Sequence, residues 1–292
     1  MSRSKQHLID CFTRSLSSFQ ASAEPLRILS TLPHDSEPRG GAKGRQRRRR
    51  LLVLDSSFNP PTRAHQHMAR TAMRNTHDAT LLLLLAVSNA DKAPAPASFP
   101  LRLCMMEALA RKLATEENAM VDVAVTNKAL FSDKAIAVAN SGVYADDVEL
   151  VFLVGFDTLV RILDAKYYTS METTLSHFFH RSRLQVTIRP GDAWGSAKEQ
   201  LDFASRLTQH EAGPKAEWAT RIHLRRDEEE EQTAGVSSSR VRDLMRISGR
   251  GRHDDQGASE VGQAGELARL VDAEVLDWIE SEHLYRNDVK DS

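Results

Sequence analysis

Short, continuously apolar segments alternate along the chain with segments whose apolar residues recur every three or four positions. The first pattern predicts strands at residues 51–55, 78–87, 120–126 and 148–154, and two shorter segments, at residues 184–188 and 221–224, are predicted as a fifth and a sixth strand. The second predicts helices at residues 62–76, 100–115, 134–139, from 158, at 197–209, 238–247 and 262–283. Strands that are apolar on both faces and alternate with helices are typical of a mainly parallel sheet with helices on both faces. We therefore predict an α/β, Rossmann-like fold.

The first fifty residues have a different pattern. Their apolar residues are spaced as on one face of a short helix: Leu8, Ile9, Phe12 and Leu16. Residues 33–50 are rich in Pro, Gly and Arg and show no periodicity, which favours a linker. We predict a partly disordered N-terminal extension over residues 1–50 and one Rossmann-like domain over residues 51–292.

Composition excludes several classes of protein. A hydrophobic fraction of 41% over 292 residues is enough to build a core. The apolar run at residues 81–87 is far shorter than the ~20 residues that span a bilayer, so we expect no membrane span. Two cysteines, Cys11 and Cys104, provide no disulfide framework. The N-terminus lacks an apolar signal segment, and we expect a cytoplasmic protein, with a nuclear location as the alternative.

Charge is distributed unevenly along the chain. Residues 39–50, which we call the basic run, hold seven basic side chains and no acidic one. Because the formal net charge is −1, the remainder carries −8 and is mildly acidic. A globally basic nucleic-acid binder is thereby excluded. Three interpretations of the basic run stay open: a solvated spacer, a nuclear-import patch or a nucleic-acid contact.

Residues 56–65 directly follow the first predicted strand, where an open parallel sheet binds its ligands. Pro60 and Pro61 predict a rigid loop that leads into a helix. Thr62 and His65 are three residues apart and share the first turn of that helix. A helix start favours an anion, and an adjacent histidine can donate to phosphate. Taken singly, each residue is also compatible with a proline-rich turn, a capping threonine and a surface histidine.

Two further segments lie at strand ends. Gly155 permits close approach of a ligand, and Asp157 can accept hydrogen bonds from ribose hydroxyls or cap a helix. Ser238 and Ser239 open a predicted helix, with Arg242 one turn along, as a polyphosphate site requires. A capping serine and a surface arginine would give the same local pattern.

Together these segments resemble the nucleotidylyltransferase superfamily, and in particular the eukaryotic and fungal nicotinamide mononucleotide adenylyltransferases. Residues 56–65 are similar to that family's Gly-Ser-Phe-Asn-Pro loop and T/HxGH motif, with Thr62 and His65 in the outer positions. Residues 155–157 match its GxD motif, and residues 236–242 are similar to its ISSTxxR motif. Ser56 and Ala64 depart from the pattern, since each stands where the family has glycine.

The resemblance implies that ATP and nicotinamide mononucleotide react to give NAD and pyrophosphate, without a covalent enzyme intermediate. It implies catalytic roles for His65 and Arg242. The implied ATP-binding residues are Ser57, Phe58, Thr62, His65, Lys92, Gly155, Asp157, Ser238, Ser239 and Arg242. The implied mononucleotide-binding residues are Ser57, Phe58, Asn59 and Tyr168. Mg²⁺ is expected on the ATP phosphates, with no protein ligand, because it dehydrates reluctantly.

Other functions stay open on the sequence. A nucleotidylyltransferase that takes a different phosphorylated acceptor, of nicotinate, pantetheine or choline type, would use the same ATP chemistry. A catalytically weak, ATP-binding adaptor would use the basic run to reach a partner or nucleic acid. A simple ATP hydrolase is disfavoured, because the chain has no GxxxxGK[ST] motif.

Overall fold

The computed structural model describes residues 3–33, 49–76, 78–87, 96–188, 195–208, 214–225, 235–250 and 258–286. Within them, the strands are β1 Leu26–Leu32, β2 Arg50–Asp55, β3 Ala79–Ala86, β4 Val121–Thr126, β5 Glu149–Gly155, β6 Ser182–Thr187 and β7 Ile222–Arg225. The helices are α1 Arg3–Gln20, α2 Arg63–Arg74, α3 Phe99–Glu116, α4 Phe131–Ala139, α5 Phe156–Ile162, α6 Met171–Arg181, α7 Ala197–Thr208, α8 Pro214–Ala219, α9 Ser238–Arg250, α10 Ala258–Leu270 and α11 Ala273–Ser281. A short 3-10 turn spans Ala165–Tyr167.

The strands form one seven-stranded sheet in the order β1-β4-β3-β2-β5-β6-β7. Strands β2 to β7 run parallel to their neighbours, and β1 is antiparallel to β4. Counted from β2, the parallel strands follow the 3-2-1-4-5-6 order of a doubly wound fold, which confirms the α/β prediction. The strand order reverses between β2 and β5, and ligands bind such sheets outside the carboxyl ends at that point.

Each central strand is buried on both faces. Leu52 and Leu54 of β2 point into a core shared with α1, α2, α3, α9, α10 and α11. Leu51 and Val53 point the other way, into a core shared with α4, α5, α6 and α8. Because side chains alternate along a strand, an unbroken apolar run fills both cores at once.

The N-terminal segment is part of this sheet, which corrects the expectation of a separate extension before residue 51. Strand β1 pairs along the edge of β4, from Leu26 opposite Thr126 to Leu32 opposite Val121. The predicted amphipathic helix is confirmed as α1, whose buried face packs against α3. An open strand edge and an apolar helix face are both covered by this arrangement. Residues 34–48, with most of the basic run, lie outside the described residues.

Two other differences concern helices. Helices α6 and α8 were not predicted, and the helix expected over residues 262–283 is two helices, α10 and α11. The chain turns at Asp272, whose carboxylate accepts the Glu274 amide and caps α11. Among the described residues, no helix is both long and apolar enough to cross a membrane.

Candidate functional site

The loop between β2 and α2, residues 56–62, lies at the point where the strand order reverses. It is anchored by Phe58, Asn59 and Thr62, whose side chains are all buried. Phe58 has a left-handed φ of 44°, whereas Ser56, at the position of the family's glycine, has no positive φ. Such backbone strain in a non-glycine residue costs about 1–3 kcal/mol and tends to occur at ligand sites.

The His65 ring is held at both nitrogens. Its Nδ1 accepts the Thr62 amide at 3.0 Å and lies 2.9 Å from the Thr62 hydroxyl. Its Nε2 lies 2.9 Å from the Ser56 hydroxyl. Because Nδ1 accepts an amide proton, the neutral ring carries its own proton on Nε2. The predicted pairing of Thr62 with His65 on one turn is confirmed, and the ring presents a donor at the carboxyl edge of the sheet.

The start of α9 packs on the same loop. Arg242 donates from Nη1 to the Asn59 carbonyl at 2.8 Å and from Nη2 to the Ser239 hydroxyl at 3.0 Å. The Ser238 hydroxyl donates to the Pro60 carbonyl at 2.7 Å. His65 and Arg242, 177 positions apart in the chain, therefore contact one short loop.

Arg102 and Tyr285 extend this cationic region. The Tyr285 hydroxyl donates to Asn59 Oδ1 at 2.9 Å, and Arg102 Nε donates to the Ala97 carbonyl at 2.8 Å. Burial lowers the pKa of Arg102; the Tyr285 phenol opposes that effect and the charge of Arg242 adds to it. Two guanidinium groups that repel each other favour an anion between them. Sequence reasoning missed Tyr285, which lies in no motif.

Gly155 and Asp157 form the turn from β5 into α5. A Cβ on Gly155 would lie 2.7 Å from Asp157 Oδ1, so the carboxylate approaches the backbone in a way that only glycine allows. Asp157 Oδ2 pairs with Arg161 Nη2 at 2.5 Å. The carboxylate is 40% exposed and keeps oxygen lone pairs accessible to a ligand. Arg161 was not predicted as part of the site.

The loop at residues 56–62, Arg102 and α5 border a cleft of about 650 Å³. The side chains of His65, Asp157 and Arg242 are not part of its lining. Its polar and aromatic lining includes Ser56, Ser57, Arg102, Arg161, Phe131 and Tyr168. Tyr168 is half-buried and donates to the Ile162 carbonyl at 2.7 Å, which holds its ring at the wall of the cleft. A volume of this size matches a small-molecule site with a few fixed polar groups.

A buried ion pair lies in the wall of the cleft. Lys134 Nζ, from α4, is 2.5 Å from Asp55 Oδ2 at the end of β2, and both side chains are at most 9% exposed. Burial raises the pKa of Asp55, while the Lys134 ammonium acts in the opposite direction. The ammonium also lies 4.9 Å from the centre of the Phe131 ring. Neither charged residue was predicted, although an aspartate that closes an apolar strand was a usable signal.

The three motifs predicted from the sequence thus meet at one edge of the sheet. The loop at residues 56–62 contacts His65 and α9, and Ser56 and Ser57 line the cleft together with Thr158 and Arg161 of α5. Lys92 lies outside the described residues. Among those described, no group of three or more His, Cys, Asp or Glu side chains could hold a metal ion.

A family model described as cytidylyltransferase-like matches residues 53–244, a span that contains all three motifs. The chain belongs to this family. A Schizosaccharomyces pombe protein named "Putative nicotinamide mononucleotide adenylyltransferase" is 35% identical over 241 residues, which cover 82% of this chain and 87% of that protein. The family resemblance stated from the motifs is thereby confirmed.

A solved structure agrees with this assignment at the level of the fold. Plasmodium falciparum nicotinic acid mononucleotide adenylyltransferase, complexed with NaAD, superposes with a TM-score of 0.53. The superposition covers 81% of this chain and 97% of that chain at 13% identity. The cytidylyltransferase-like chain described here therefore shares its fold with that enzyme.

Proposed function

We propose that this chain is a nicotinamide-nucleotide adenylyltransferase, which joins nicotinamide mononucleotide to the AMP part of ATP and releases pyrophosphate. The observation that carries the proposal is the meeting of His65, Arg242 and Arg102 around the loop at residues 56–62. This grouping supplies donors and positive charge where a triphosphate would need them. The 35% identity to the S. pombe protein supports the choice of acceptor.

On this proposal ATP lies across the carboxyl ends of β2 and β5. Arg242, Ser238 and Ser239 bind the β- and γ-phosphates, with Lys92 assisting, and His65 donates from Nε2 to the α- or γ-phosphate. Thr62 holds the His65 ring in the required tautomer. Asp157, beside Gly155, accepts hydrogen bonds from the ribose hydroxyls of adenosine.

The mononucleotide occupies the cleft beside Ser57. Backbone amides of Ser57 and Phe58 donate to its 5′-phosphate, with Asn59 next to them. Tyr168 stacks on the pyridine ring, and Phe131, on the lining of the same cleft, offers a second aromatic surface. Nicotinic acid mononucleotide, with the same phosphate and ring, is the alternative acceptor.

The reaction needs positioning and charge stabilisation rather than a protein nucleophile. An oxygen of the 5′-phosphate attacks the α-phosphorus of ATP in line, the bond from that phosphorus to the β-phosphate oxygen breaks, and pyrophosphate leaves with the electron pair. His65 and Arg242 stabilise the charge that develops on the transferring and leaving phosphates. When carried on the triphosphate by phosphate oxygens and water, Mg²⁺ would supply charge neutralisation there, and no side chain of this chain is assigned to hold it.

The decisive experiment incubates the purified full chain with ATP, Mg²⁺ and nicotinamide mononucleotide, and measures NAD and pyrophosphate. A parallel reaction contains nicotinic acid mononucleotide, which separates the two acceptors. We expect equal amounts of NAD and pyrophosphate to form. Pyrophosphate release that requires a different phosphorylated acceptor would reassign the substrate, and failure to form any dinucleotide would refute the proposal.

His65→Ala should lower turnover by about 10²-fold or more, because it removes a donor aimed at developing charge. His67→Ala is the matched control. His67 lies two positions along α2 and contacts Thr71 at 3.3 Å, outside the proposed site. Equal turnover of the two variants would contradict the role of His65. Arg242→Ala should chiefly weaken ATP binding, which titration calorimetry measures directly.

A further inference from the structure

Ser56 is the first residue after β2, and the sheet fixes its position. Its backbone amide donates to the Leu84 carbonyl of β3 at 3.3 Å, one residue beyond Asp55, which pairs in register with Leu84. The Ser56 side chain is half-buried and belongs to the lining of the cleft. Strand pairing therefore holds the Ser56 hydroxyl at the wall of the cleft.

The His65 ring lies next to that hydroxyl but is not itself part of the lining. Its Nε2 is 2.9 Å from Ser56 Oγ. Because the Thr62 amide donates to Nδ1 at 3.0 Å, the neutral ring carries its proton on Nε2 and donates it to Ser56 Oγ. A hydroxyl that accepts one hydrogen bond still has its own proton to donate. The donor that this arrangement leaves for a ligand is therefore the hydroxyl of Ser56.

The hydrogen bonds of Thr62, His65 and Ser56 run in one direction, and we call these three residues the relay. The Thr62 amide donates to the ring, and the ring donates to Ser56. Hydrogen bonds aligned in this way polarise one another and strengthen the last donor of the series. The Ser56 hydroxyl is therefore a stronger donor than the hydroxyl of an isolated serine.

The same direction excludes Ser56 as a nucleophile. A nucleophilic serine needs a histidine nitrogen whose lone pair can take its proton. In the relay, Nε2 carries a proton and the Nδ1 lone pair accepts from Thr62. Ser56 thus acts by donating a hydrogen bond, which agrees with a reaction that has no covalent enzyme intermediate.

The surroundings of Ser56 favour an anion as the acceptor of its proton. Lys134 and Arg161, on the same lining, are each paired with an aspartate. Arg102, also on the lining, donates to the carbonyl of Ala97 and adds a positive charge. A hydrogen bond from a hydroxyl to a charged phosphate oxygen is about twice as strong as one between neutral groups.

We propose that Ser56 is the residue that touches the phosphate, and that His65 positions and polarises the Ser56 hydroxyl. This inference rests on the proposed function, and it places Ser56 Oγ between His65 Nε2 and the α- or γ-phosphate of ATP. Direct contact of His65 with the phosphate would first require loss of its hydrogen bond to Ser56. Ser56 stands where the family has glycine, and a glycine has no hydroxyl to contribute. The relay therefore gives this chain an additional phosphate donor.

The test is titration calorimetry of ATP with Mg²⁺ on the full chain and its variants. Ser56→Ala should raise the Kd for ATP about tenfold, because it removes a hydrogen bond to a charged group. His65→Ala should have a similar effect, and the double variant should bind within about twofold of either single variant, since both residues act through one contact. Ser205→Ala is the matched control, because Ser205 is an exposed serine of α7 and lies outside the cleft lining.

An ATP Kd in Ser56→Ala that equals the Kd of the control would overturn the proposal. So would a double variant that binds about a hundredfold more weakly, because independent contacts add. Titration with AMP and adenosine locates the contact. A loss with AMP supports donation to the α-phosphate, a loss with ATP alone supports donation to the γ-phosphate, and an equal loss with adenosine would contradict any phosphate contact. Thermal unfolding of Ser56→Ala should match the control, which separates a lost contact from a lost fold.

Binding and turnover together separate this inference from the proposed function. ATP binding that depends on Ser56, without formation of a dinucleotide, would refute adenylyl transfer alone. Where dinucleotide forms, Ser56→Ala should lower kcat about tenfold and leave the KM for the mononucleotide unchanged. Dinucleotide formation with unaltered kcat and ATP Kd in Ser56→Ala would refute the relay alone, and a chain that binds no ATP would refute both.

Discussion

At the residue scale, the turn at Gly155 illustrates how one missing side chain can serve a site. The Asp157 carboxylate lies where an alanine methyl group at position 155 would be, and Arg161 holds it there. The φ of Gly155 is −79°, which any residue can adopt, so the need for glycine is one of space and not of backbone conformation.

Gly155→Ala should therefore displace the Asp157 carboxylate while leaving the fold intact. Because that carboxylate is proposed to bind the ribose of ATP, we expect the Kd for ATP to rise by about tenfold, the effect of losing a hydrogen bond to a charged group. Titration calorimetry measures the affinity, and thermal unfolding checks the fold. Gly265→Ala, with open space around the new methyl group, is the control. Unaltered ATP affinity in Gly155→Ala would argue against ribose binding by Asp157.

Tyr285 provides a second case at this scale, because its hydroxyl fixes the side-chain amide of Asn59. With Oδ1 accepting from Tyr285, the Asn59 amide nitrogen is left to donate elsewhere. Tyr285→Phe should lower kcat/KM about fivefold, since the loss of one neutral hydrogen bond costs about 1 kcal/mol. A double-mutant cycle with Asn59→Ala tests the route: the Tyr285 effect should vanish once Asn59 is absent. Additive losses would mean that Tyr285 acts independently of Asn59.

At the scale of elements, α4 is held to the central strand by the Asp55–Lys134 pair. Removal of one partner leaves the other charge buried and unpaired, which costs about 3–5 kcal/mol. Lys134→Met should reduce the free energy of unfolding by that amount in urea denaturation. The double variant Lys134→Met/Asp55→Asn should recover most of the lost free energy of unfolding, because neither charge is then left unpaired. Lys166→Met, at an exposed ion pair, should leave the unfolding midpoint within error. A double variant as unstable as Lys134→Met would show that packing, not charge, dominates.

At the scale of the whole molecule, α1 and β1 belong to the same cooperative unit as the rest of the sheet. Phe12 is 4% exposed in the core that contains α3. Phe12→Ala should lower the free energy of unfolding by about 3–5 kcal/mol, in a single transition. A separate low-temperature transition, with the main one unchanged, would instead indicate an independent N-terminal segment. Asp10→Ala, on the exposed face of α1, is the control.

The sequence predicts those features whose signal is local. The strands β2 to β5 are short, mostly apolar runs, β6 and β7 alternate apolar and polar residues, and the three motifs have fixed spacing at strand ends. The pattern of residues alone is therefore enough to place the strands and the motifs. Strand β1 was missed because its residues become a strand through pairing with β4, far along the chain. Lys134 and Tyr285 were missed for the same reason: their partners, Asp55 and Asn59, are neighbours only in the folded state.

The pairing of β1 with β4 has a consequence for biosynthesis. The ribosome releases β1 well before its antiparallel partner β4, since bonded Thr31 and Asp122 are 91 positions apart. Until β4 has emerged, the nascent β1 has no native edge to join. Strand β1 is therefore expected to dock only after β4 has emerged, and slow translation between β1 and β4 would prolong the exposure of β1 to chaperones.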